Sequence, residues 1–161
     1  MSKLSAFTRD HAAITDGVWI APDERNHPEL QLRVKGRDGA FVDALSVEYR
    51  ALIRRAREDG TLKSRQGLDD LPVSTQTAVE DRLILSRLVL DVRGLQNDDG
   101  TPLTIAAFRE LAVQELYRPL LDLAREAVAI ATDRRAKDKA AAEGNSAKSS
   151  GTKPNGDAQQ D

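Results

Sequence analysis

The chain has 161 residues, 40% of them hydrophobic and 31% charged, with a formal net charge of -2. That balance belongs to a globular domain and gives no global attraction for nucleic acid or an anionic membrane. There is no cysteine, which removes disulfides, thiolate nucleophiles and cysteine metal sites together and fits a reducing compartment.

Residues 1–15 are mixed and carry no period, so a flexible N-terminus is expected there. Gly17-Val18-Trp19-Ile20-Ala21-Pro22 reads as a short strand stopped by proline, with Trp19 expected to pack in the core. After a turn-rich segment, Leu30, Leu32 and Val34 alternate with Gln31, Arg33 and Lys35, the period of a half-buried strand. The two strands predict a hairpin, which is marginal alone and must pack on something. Gly36-Arg37-Asp38-Gly39 turns the chain into a helix carrying Phe41, Leu45, Tyr49, Leu52, Ile53 and Ala56, ended by Gly60. Thr61–Pro72 is polar and reads as a loop.

A second helix is signalled by the spacing of Thr77 and Glu80, that of a capping box, with Ser74 as a competing cap. Val79, Leu83, Ile84, Leu85, Leu88, Val89, Leu90 and Val92 then cover more than one face, so this helix is expected to run to Gly94 at the centre of the core. Leu95–Pro102 is a tight polar turn. Thr104 is placed to cap a third helix with Ile105, Phe108, Leu111, Ala112 and Leu116, and Pro119 predicts a break before a fourth helix that opens on the proline. That last helix carries Leu120, Leu123, Ala124, Ala127, Val128 and Ala131 and is expected to fray near Arg134.

Ala136–Asp161 holds no Val, Ile, Leu, Met, Phe, Trp or Tyr, too little apolar surface to offset ordering entropy. The expected organisation is therefore one domain over 16–135 and a disordered tail over 136–161. The expected fold class is α+β, mostly α: a short N-terminal β-hairpin packed on about four helices. No apolar run approaches the roughly 18–20 residues of a membrane span, and Met1–Asp10 lacks the apolar stretch of a secretory signal, so a cytoplasmic protein is expected.

The chemistry-bearing residues are few. His11 and His27, the two histidines, lie outside regular structure, and no further ligands converge at zinc spacing. Setting Gly100 at the invariant glycine of a calcium loop puts Leu95 and Ala106 where two obligatory oxygens belong. Gly36–Gly39 lacks the continuation of a phosphate loop, and as a Gly-x-x-Gly clamp for single-stranded nucleic acid it would aim Asp38 at phosphates. Arg50, Arg54, Arg55 and Arg57, with Lys63 and Arg65, form a basic cluster, but Asp43, Glu48, Glu58 and Asp59 interleave with it and a solvated face is expected. No enzyme signature emerges; no catalytic, cofactor or metal residue is assigned.

One stretch is more specific. Leu88-Val89-Leu90-Asp91-Val92-Arg93-Gly94-Leu95, then Asn97-Asp98-Asp99-Gly100-Thr101-Pro102-Leu103-Thr104, then helix, proline and helix, resembles the tail assembly chaperones of long-tailed bacteriophages. In that family a hydrophobic–Asp–Trp–Gly–hydrophobic helix end leads to an Asp–Gly–x–Pro turn, a Ser or Thr cap and a leucine-rich helix. The resemblance spans about residues 15–135; Arg93 stands where the family often has tryptophan. It implies a protein of the host cytoplasm, absent from the mature virion. Such a protein coats the long tape measure protein during assembly and helps recruit tail tube protein. The client surface expected on that basis is Phe108, Leu111, Leu116, Tyr117 and Leu120. Self-association stays open. Two other readings stand beside it: a structural head–tail joining or tail completion protein, and a small nucleic-acid-binding regulator using the arginine helix.

Overall fold

The structure, a computed structural model, describes residues 16–147. The N-terminal segment 1–15, with His11, and the part of the expected tail beyond residue 147 lie outside the described residues. The architecture is α+β and mostly α. Strands β1 (Val18–Ile20) and β2 (Gln31–Val34) form the expected antiparallel hairpin, with Val18 opposite Val34, Trp19 opposite Arg33 and Ile20 opposite Leu32. Alternation sets the faces. Ile20, Leu32 and Val34 are buried, which leaves Trp19 and Arg33 on the outer side.

Helix α1 (Gly39–Glu58) starts where Asp38, in extended backbone, accepts the Phe41 N–H at 2.8 Å. Phe41 and Ala56 are buried, and Leu45, Tyr49, Leu52 and Ile53 are half-buried along the same side. The loop after α1 closes a small cluster of its own, in which Ala56, Leu62 and Leu71 are buried against Leu52, Ile53 and Leu68.

Between residues 73 and 93 the structure departs from the sequence reading. Helix α2 (Val73–Leu83) begins directly after Pro72, not at Thr77 or Ser74: the Pro72 carbonyl accepts the Thr75 and Gln76 N–H groups at 3.0 and 3.3 Å, and no side chain caps the start. It ends at Leu83; Ile84–Leu88 widen into a π turn, and Val89–Arg93 leaves as a third strand, β3. β3 lies antiparallel to β2, with Gln31 opposite Arg93 and Leu32 opposite Val92, and the sheet order is β1-β2-β3. The apolar run that read as one long helix is thus half helix and half strand. Local preference is weak here. Burying Val89 and Val92 while pairing the free side of a marginal hairpin outweighs continued helix. Gly94 therefore ends a strand. Its φ is +76°, and a Cβ there would lie 1.8 Å from the Glu29 carbonyl oxygen, so only glycine fits.

The polar turn forms as expected, with the Leu103 N–H donating to the Leu95 carbonyl at 2.8 Å and the Asp99 carboxylate accepting the Thr101 N–H at 2.9 Å. Thr104 Oγ1 accepts the Ala107 N–H at 3.2 Å and caps α3 (Ile105–Ala112). A break follows, and α4 (Arg118–Ala147) starts one residue before Pro119. The last helix does not end near Arg134. Ala136, Ala140 and Ala141 carry it past Ala131, the last of its described side chains to be buried, on intrinsic helix preference.

The core lies between the inner face of the sheet and the helices α3 and α4. Phe108 and Ala112 from α3 meet Leu121, Ala124, Ala127, Val128 and Ala131 from α4 there, with Ile84, Leu85 and Leu88 from the π turn. The 6%-exposed Asp81 receives both Nε and Nη2 of Arg125 at 2.8 Å, locking α2 to α4. The Arg37 N–H donates to Thr132 Oγ1 at 3.0 Å, and Arg135 reaches the cap residue Asp38 at 3.6 Å, so the strand-to-helix turn is held by α4.

Candidate protein-binding surface

The five residues expected to form a client surface separate by position. Phe108 is 0% exposed: it is a central core side chain and cannot meet a partner. Its place on the α3 stripe turns it onto α4 and the sheet. Leu111 and Leu120 are half-buried against the core. Leu116 is 82% exposed and Tyr117 39% exposed.

The reason lies in the break between α3 and α4. The Gln114 N–H closes on the Leu111 carbonyl at 2.9 Å, and the Tyr117 N–H closes on the Gln114 carbonyl at 3.0 Å. These tight turns swing residues 113–117 off the helix axis, so Leu116 loses the core register that Phe108 and Ala112 keep. Val113, 60% exposed, belongs to the same elbow and was missed by the sequence reading. Its signal was available: it falls off the stripe of Ile105, Phe108, Leu111 and Ala112. Val113, Leu116 and Tyr117 thus present three large apolar groups within five residues.

The open face of the sheet carries a half-buried aromatic. Trp19 is not a core residue: it sits opposite Arg33, with the Arg93 guanidinium 4.2 Å and that of Arg33 5.9 Å from its ring centroid. Arg93 Nε donates to Gln31 Oε1 at 2.7 Å, which fixes the stacked guanidinium. At the position where the resembled family often has tryptophan, this chain therefore covers its own Trp19 with a cation.

Titratable chemistry lies elsewhere. His27 is exposed in the hairpin loop. The Thr101 hydroxyl and N–H hold the exposed Asp99 carboxyl below its ordinary value; Thr61 does the same for Asp59 and Asn26 for Asp23. Among the described residues no group of three or more His, Cys, Asp or Glu is placed to hold a metal ion. No described helix is long and apolar enough to cross a membrane. Comparison with family models, with characterised proteins and with solved structures finds no match to the chain.

Proposed function

We propose that this protein is a phage tail assembly chaperone that binds the tape measure protein and assists assembly of the tail tube, without becoming part of the mature virion. One observation carries the reading: a well-sealed core is joined to an elbow that keeps Val113, Leu116 and Tyr117 in water. Leu116, 82% exposed, forgoes most of the roughly 1.5–3 kcal/mol that full burial of such a side chain supplies, and Val113 and Tyr117 forgo part of theirs. Val42, Val47 and Val73 are exposed singly elsewhere, whereas the elbow gathers three such groups within five residues, an exposure that gains nothing for the protein's own stability. An amphipathic client helix, which presents apolar residues at i, i+3 and i+4, gives those groups a partner. The resemblance contributes the Asp99-Gly100-Thr101-Pro102 turn and the Thr104 cap, both of which form; the residues before them are strand rather than helix end.

Co-expression in bacterial cytoplasm with the tape measure protein of the same phage tests this. The expected result is a soluble client recovered in complex, and purified particles that lack the small protein. An insoluble client, with the small protein found in the particles, would instead favour a head–tail joining or completion protein.

A further inference from the structure

A second surface lies on α1, apart from the elbow, and owes nothing to the chaperone reading. Between residues 48 and 65 the chain places Arg50, Arg54, Arg55, Arg57, Lys63 and Arg65 against Glu48, Glu58 and Asp59, although the whole molecule is net acidic at -2. On α1 itself the four arginines outnumber Asp43, Glu48 and Glu58 by only one, so the cationic field is local to one row of the helix. Arg50, Arg54 and Arg57 fall at i, i+4 and i+7, which aligns them on one side of α1. With Ile53 and Glu58 they line an open hollow of about 510 Å³.

The arginines are partly pre-set. Arg50 Nε donates to the Ser46 carbonyl at 3.2 Å, and Arg57 Nη2 donates to the Gln66 carbonyl at 2.8 Å, so less side-chain freedom is lost on binding. The acid within the hollow is weakly engaged: Glu58 meets Arg54 at 4.0 Å, with both side chains about 70% exposed, an ion pair worth little in water. Toward the N-terminus the same side of the helix continues with the exposed Asp43 and Ser46, and Val42 and Val47, 57% and 55% exposed, lie on its two flanks.

We propose that this face of α1 docks an acidic amphipathic helix of a partner protein. Its carboxylates would be spaced i, i+4 and i+7 to meet the three guanidinium groups, with an apolar side chain over Ile53. Charge complementarity fixes the acidic half of that description. Ile53 in the floor, Glu58 at the margin and the lack of an aromatic side chain among the lining residues decide against a single-stranded phosphodiester backbone, which would look for stacking partners and meet a repelling carboxylate.

The test uses the full-length protein and a fluorescein-labelled synthetic helix with Glu at i, i+4 and i+7 beside two leucines, read by fluorescence anisotropy. Binding should weaken as salt rises. It should fall about ten-fold or more in the Arg50→Glu/Arg54→Glu variant, and for a peptide with Gln in place of Glu. Leu116→Ser should leave it unchanged, which separates this surface from the elbow. Both arginines are exposed, so thermal melting of the variant should match the parent; if it does not, Arg54→Gln alone replaces it. No binding, equal binding of the Glu and Gln peptides, or tighter binding of a DNA duplex would each overturn the proposal.

Discussion

Phe108 and Leu116 are both large apolar residues of the same helix–break–helix unit, yet one is 0% exposed and the other 82%. Phe108 is held by α3 in the register that faces α4. Leu116 lies beyond the turn at Gln114, where that register is lost. Hydrophobicity alone therefore does not say whether a residue holds this molecule together or serves something outside it. The geometry of the break decides.

Substitutions should divide along the same line. Phe108→Ala should cost the most, about 3–5 kcal/mol of unfolding free energy by denaturant titration, since the ring is enclosed and its removal leaves a cavity. Asp81→Asn should follow, at about 3 kcal/mol, near the lower end for a broken buried pair because Arg125 retains access to water and to Asp122. Replacing the pair by Leu and Met should recover much of that loss. Leu116→Ser should change stability by no more than about 0.5 kcal/mol, as expected for a surface site, while abolishing client solubilisation. A large loss of stability in Leu116→Ser would erase the distinction between the two regions.

The smallest effect belongs to the turn ahead of α3. Hydrogen bonds from Thr101 lower the Asp99 carboxyl below 3.8 in the folded state. That contribution is fully present above the ordinary value and is lost as the pH falls through the lowered one. Asp99→Asn should therefore melt slightly below the parent near neutral pH and level with it once the pH has fallen through the lowered value. A gap that persists in acid would mean the carboxylate is not its source.

Much of the fold was legible because local rules and tertiary packing agree. Leu30, Leu32 and Val34 gave the β2 face, Thr104 marked the start of α3, and Pro119 marked a break before α4. The register of β2 also held the answer for Trp19, since the residue paired with Arg33 must share its outward face. The third strand was hidden. Val89–Val92 continues the apolar pattern of α2, and a short apolar run reads equally as buried helix or buried strand until its partner β2 is in place. The candidate surface was half legible. Leu116 and Tyr117 are exposed, as a surface role requires, whereas Phe108 lies in the core because helical spacing reports a shared stripe without saying which end of it meets the core.

The central claim is that the elbow, rather than exposed hydrophobicity in general, serves the client. Val73, 76% exposed at the start of α2, is the matched control. Measuring the soluble fraction of co-expressed tape measure protein with Leu116→Ser and with Val73→Ser tests it directly. Loss of soluble client with Leu116→Ser and retention with Val73→Ser is the predicted result; retention with both, at equal protein levels, would contradict it.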